Sequence, residues 1–100
     1  MKKFKVIIEG RNFKILIEEE IKKCGFFTTR FVKVDSLNLI ENEAFSMIRK
    51  ELKGIVLNKL DDPPTLFIDQ LNEISSFEKN QALGTGFTWY LEDEKDYSVH

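Results

Sequence analysis

The chain has 100 residues with 15 Lys/Arg, 17 Asp/Glu and a net charge of −2, which bounds it to one domain at most and speaks against a strongly basic nucleic-acid binder. A single Cys excludes an intrachain disulfide, and one Cys with one His excludes a Cys/His zinc site within one chain. No apolar run approaches the roughly 18 residues that cross a bilayer, and no apolar block follows the basic N-terminus, so the expectation is a cytoplasmic protein with no membrane association.

In chain order, residues 4–9 read as a strand. Gly10-Arg11-Asn12 follows, and Gly and Asn both tolerate positive φ, so a tight hairpin turn is expected there. Residues 13–18 alternate, with Phe13, Ile15 and Ile17 on one face and Lys14, Leu16 and Glu18 on the other. Residues 19–24 are expected to be a connection, with Cys24 an unreactive thiol beside a turn. Residues 26–34 are dense in aromatic and β-branched residues and give the strongest predicted strand. Phe27, Thr29 and Phe31 share one face. Phe26, Thr28, Arg30, Val32 and Val34 share the other.

Asp35 and Ser36 offer N-caps for a helix over 37–52, whose apolar stripe is Leu37, Ile40, Ala44, Met47, Ile48 and Leu52. Gly54 is the natural stop. Asp61-Asp62-Pro63-Pro64 forms an extended linker, since proline cannot donate to a ladder. Residues 65–71 and 87–91 read as further strands, and 92–100 as an acidic, disordered tail. The expected fold is α+β: a mostly antiparallel sheet of four to five strands (β-β-β-α-β-β) with one main amphipathic helix on one face. It occupies 1–91 as a single domain. The opposite sheet face would need cover from the C-terminal segment or from a second copy, so a homodimer is expected.

Four blocks run through the chain in one order: Gly10-Arg11-Asn12-Phe13, Gly25-Phe26-Phe27-Thr28-Thr29-Arg30-Phe31-Val32, Asp61-Asp62-Pro63-Pro64 and Gly84-Thr85-Gly86-Phe87-Thr88. They resemble a family of small uncharacterised bacterial proteins, and that resemblance implies no mechanism. Residues 4–9, 25–34 and 37–52 with Pro63-Pro64 are also similar in layout to the HicB-type antitoxin domain, which implies a β-rich dimer that binds a small basic protein. The chain departs from that pattern: it has no appended DNA-binding segment, and it has an extra strand at 87–91.

Charge carries the functional expectation. Residues 1–60 hold 13 Lys/Arg against 8 Asp/Glu, and residues 61–100 hold 2 against 9. Such a split marks either two different surfaces or one fold whose halves attract each other. The favoured expectation is a non-enzymatic interaction module with no cofactor, no metal and no catalytic residues. Its acidic C-terminal half, at Asp61, Asp62, Glu92 and Asp93, would meet a small basic partner. The competing expectation is a small-ligand or anion binder, with or without catalysis, centred on Arg11, Thr28 and Arg30. Arg30 has a structural alternative, pairing with a carboxylate such as Asp69 or Glu73. The lysines read as a solvated face, so nucleic acid is disfavoured.

Overall fold

The computed structural model describes residues 2–75 and 86–92. Its elements are β1 (Lys2–Ile17), β2 (Glu20–Val34), a 3-10 turn (Leu37–Leu39), α1 (Ile40–Leu52), β3 (Thr65–Ile74) and β4 (Phe87–Leu91). They form an α+β fold with one antiparallel sheet in the order β3-β1-β2-β4. The order along the chain is therefore β-β-α-β-β, with two long strands before the helix where sequence reading expected three. Since β1 lies between them, β2 and β3 run parallel without pairing, and α1 spans that crossover.

Two corrections explain the count. Gly10-Arg11-Asn12 is not a turn. The strand continues through it, and the register shifts there so that Arg11 and Asn12 together face Gly25. This is a two-for-one bulge, with Asn12 at φ 60. The local preference for positive φ was real, but it bends a strand instead of reversing it. The chain reverses at Glu18-Glu19, both at positive φ (50 and 71), a primed-turn conformation that ordinarily selects Asn-Gly. Consequently 20–24 belongs to β2, and Cys24 is buried within that strand, its thiol donating to the Lys22 carbonyl at 3.8 Å.

The core forms on one side of this hairpin. Phe4, Val6, Ile8 and Phe13 of β1 join Phe26, Val32 and Val34 of β2 and Ile40, Ala44, Phe45, Ile48 and Leu52 of α1 in a single buried cluster. Phe26 is its centre, with ring centroids of Phe13, Phe87 and Trp89 each 5.0 Å away. Gly10 makes room for it, because a Cβ there would overlap the Phe26 ring. The helix differs from its predicted stripe. It begins at Ile40 after the 3-10 turn, which leaves Leu37 exposed, turns Met47 outward and buries Phe45. Ser36 holds the N-cap position, but its hydroxyl bonds to Asn38 and not to the backbone. Lys53 caps the other end, followed by Gly54 at φ 96.

β3 runs three residues beyond the expected end. It carries one extra residue, Asp69, between the Ile8 and Ile7 pairings, a bulge on an outer strand that discourages edge-to-edge pairing. No helix among the described residues is long and apolar enough to cross a membrane.

Candidate functional site

Three polar constellations and one apolar arm are positioned by this frame. The first is buried. Arg30 stands in mid-strand, 2% exposed, where an uncompensated charge would be costly. Its Nε and Nη2 donate to Glu51 Oε2 of α1 at 3.2 and 2.8 Å, and its Nη1 donates to Thr28 Oγ1 at 2.5 Å and to the Thr29 carbonyl at 2.9 Å. The Phe87 ring lies 5.0 Å beneath the guanidinium. Thr28 passes the chain of bonds on, donating to the Gly86 carbonyl at 2.5 Å. The carboxylate that pairs with Arg30 is therefore Glu51, not Asp69 or Glu73. The helix supplies it from its last turn, where Glu51, next to the final residue Leu52, lies over β2.

The second constellation sits on the opposite side of the sheet. Arg11 grips Glu9 with Nε and Nη2 at 3.1 and 3.2 Å and lies 5.4 Å over the Phe67 ring. The Tyr90 hydroxyl donates to the same carboxylate at 2.9 Å. Tyr90 packs across Gly25, where a Cβ would collide with its ring. Burial, then the hydrogen bond to Glu9 and the charge of that carboxylate, push the phenol up to about 12. The hydrogen bonds and charge of Glu9 also hold the Arg11 guanidinium above its ordinary value. The structure thus brings Thr28 and Arg30 together and places Arg11 elsewhere, so these three residues do not line one pocket.

The third constellation is the junction at the bulge. The Asn12 backbone N–H donates to Glu92 Oε1 at 2.8 Å, and its side-chain amide donates to Asp62 Oδ1 at 2.9 Å and the Pro63 carbonyl at 3.2 Å. Lys14 Nζ reaches Asp62 Oδ2 at 2.7 Å, and Lys23 Nζ lies 3.5 Å from Glu92. Lys14 and Lys23 face each other across the strands, a like-charge pairing that destabilises a sheet unless each is neutralised. Asp62 and Glu92 neutralise them. The Lys14 and Asn12 hydrogen bonds hold the Asp62 carboxyl below its ordinary value. Asn58 completes the edge, accepting from the Lys14 N–H at 2.9 Å and donating to the Asn12 carbonyl at 2.7 Å. Part of the charge split is therefore spent on holding the two halves together. Asp62 and Glu92 have intramolecular partners, Asp61 stays exposed, and the expected tail beyond Glu92, Asp93 included, lies outside the described residues.

The arm is what sequence reading missed. β3 pairs with β1 only as far as Arg11, and β4 pairs with β2 only from Cys24. Residues 14–23 therefore continue as a two-stranded ribbon beyond both flanking strands, held at its root by the linker, where the Leu57 N–H donates to the Lys14 carbonyl at 2.7 Å and Asn58 accepts from the Lys14 N–H. Leu16 and Ile21 are directly opposite each other on it, each 63% exposed. Glu18, Glu19 and Glu20 form its tip, and Glu20 pairs with Lys22 at 3.0 Å. The signal for it was the alternation of residues 13–17, which resumes that of residues 4–8 beyond the bulge with its phase shifted by one residue.

Beside the root of the arm lies a cleft of about 460 Å³ under the end of α1. Phe13, Ile48, Leu52, Val56, Pro64 and Leu66 line it, with Arg49 and Lys53 at its rim. Among the described residues no cluster of His, Cys, Asp and Glu is arranged to hold a metal, and no buried side-chain polar atom lacks a hydrogen-bond partner. Comparison with protein-family models, curated proteins and solved structures returns no match to this chain.

Proposed function

We propose that the chain is a non-enzymatic protein-interaction module of the cytoplasm and that it makes contact through the projecting hairpin, residues 14–23. One observation carries this reading: Leu16 and Ile21, adjacent across the strands, are each 63% exposed on a ribbon with no flanking strand among the described residues. A bare two-stranded ribbon is marginal in water and is stabilised when a partner covers its apolar side. The groups that would serve an anion site are otherwise engaged. The Arg30 fork is bonded to Glu51, Thr28 and Thr29, and Arg11 is bonded to Glu9. The antitoxin-like version of this reading adds a small basic partner, favoured by the glutamate tip and by exposed Asp61.

The test is a photo-crosslinking residue at position 16, with a second chain carrying it at the exposed helix position 50. The module reading expects an adduct from position 16 and none from 50. No adduct from position 16 in cells would remove it.

A further inference from the structure

We infer that the hairpin arm of one copy of this chain seats in the cleft under α1 of a second copy, and that the second copy returns the contact. The inference rests on the module reading and names both the partner and the socket. Arm and cleft are complementary in shape, polarity and charge. The arm presents Leu16 and Ile21 side by side on one face and three glutamates at its end, and its lysines Lys14, Lys22 and Lys23 are each paired with a carboxylate, of Asp62, Glu20 and Glu92 respectively. Glu18 and Glu19 make no ion pair among the described residues, and both are exposed. The cleft is concave, has an apolar floor and carries two cations at its rim. No acid lines it. The acids close in sequence are directed elsewhere, Glu51 onto Arg30 and Asp62 onto Lys14 and Asn12. Arg49 has its guanidinium 5.8 Å from the Phe45 ring, and neither Arg49 nor Lys53 makes an ion pair among the described residues. Helix-end cations do balance the partial negative charge of α1, but that amounts to about half a charge and leaves an excess at the rim.

The arm cannot serve its own cleft. Phe13 lines the cleft and is also the residue from which the arm departs. Residues 14–17 are laddered to 20–23 and extend away from it, so Glu18 stands about 17 Å from Phe13 at about 3.4 Å per residue. Folding back would break that ladder. A second copy related by a two-fold axis meets the constraint, because root and cleft are contiguous: each arm then lies over the other's root, and each acidic tip meets the other's Arg49 and Lys53. The contact is small, so a weak, concentration-dependent association is expected.

Sedimentation equilibrium of the full chain tests this. The parent should pass from one-chain to two-chain mass with rising concentration. Glu18→Lys with Glu19→Lys should raise the dissociation constant at least about tenfold, and so should Arg49→Glu with Lys53→Glu. Mixing the two double variants should restore a two-chain species, since each reversed tip then meets a reversed rim. All four positions are exposed, and circular dichroism checks that each variant folds. A parent that stays a single chain at millimolar concentration overturns the inference, as does a monomer stabilised by decanoate, which would make the cleft a small-molecule site. A dimer indifferent to both reversals overturns the arm-in-cleft contact. In each of these cases an adduct from position 16 of a mass other than two chains would leave the module reading standing.

Discussion

The same two strands build both the most buried part of the core and the most exposed large apolar side chains of the sheet. In the central half, Val6 and Ile8 are fully buried, whereas Leu16 and Ile21 in the arm are 63% exposed. Both halves alternate, and both carry β-branched or leucine side chains. The difference lies in their neighbours. Over residues 3–11 of β1 and 24–28 of β2 the flanking strands widen the sheet, and α1 closes one side. Past the bulge the flanks end, because Pro63-Pro64 cannot enter a ladder at β3 and because β4 stops at Leu91 opposite Cys24. A strand's pattern says that it has a face to bury. Only its neighbours decide whether that face is buried within the chain.

The widest separation between the two regions comes from truncating their side chains. Phe26→Ala should cost about 3–5 kcal/mol in urea unfolding, since the ring is fully buried among three other aromatic groups. Leu16→Lys with Ile21→Lys should change the stability of the single chain by no more than about 0.5 kcal/mol. Equal losses from the two variants would mean that the arm is part of the cooperative core and would break the comparison.

The next effect probes the charge that the central half tolerates. Glu51→Ala leaves the Arg30 guanidinium at 2% exposure without its carboxylate. The expected loss is about 2–3 kcal/mol, less than for a fully buried pair because the Glu51 side chain is 38% exposed. Arg30→Met with Glu51→Met should recover most of that loss, because an apolar pair removes the desolvation problem instead of leaving half of it. A smaller cost for Glu51→Ala alone than for the double variant would count against this account.

These contrasts also show what the chain discloses by itself. The α+β class, the two outer strands, the faces of residues 26–34 and the helix all follow from periodicity and turn chemistry. Phe45 did not, because the expected stripe ran through Ala44 and Met47, whereas the face that packs on the sheet runs through Ala44 and Phe45 and leaves Met47 exposed. The turn was misplaced because Gly10 and Asn12 satisfy turn rules better than Glu18 and Glu19 do. Side-chain propensity ranks local conformations, but the pairing of residues 13–17 with 20–24 outweighs a local cost of about 1–2 kcal/mol for a left-handed residue. Of the candidate site residues, Thr28 and Arg30 were placed on one face correctly. Arg11 was not separable from them, because its side of the sheet depends on the bulge.

That local cost gives a gain to measure in the arm. Glu18→Asn with Glu19→Gly suits the positive φ values of 50 and 71 and should stabilise the chain by about 1 kcal/mol, read as a higher urea midpoint. The same change removes two of the three tip carboxylates, so it should weaken association while strengthening the fold. An unchanged midpoint would mean that the turn opens before the core does, and would sharpen the division between arm and centre.

The smallest effects are expected at the junction, as a function of pH. The Asp62 carboxyl is held below its ordinary 3.8 in the folded chain by Lys14 and Asn12. A depressed carboxyl contributes its stability in full above the unfolded value and loses it as pH falls through the folded one, so the contribution should fade only below about pH 4. Tyr90 has the opposite sign. Its phenol is raised from 10.0 to about 12, so the folded chain keeps a proton that the unfolded chain releases, and stability should decline as pH rises from 10 towards 12. Tyr90→Phe should weaken the alkaline decline and leave the acid one, whereas Asp62→Asn should do the reverse. The urea midpoint followed across both limbs distinguishes them. Because Asp62 joins the linker to the arm's root and Tyr90 joins β4 to the central strands through Glu9, an alkaline limb without an acid one would assign the junction's stability to the centre of the sheet alone.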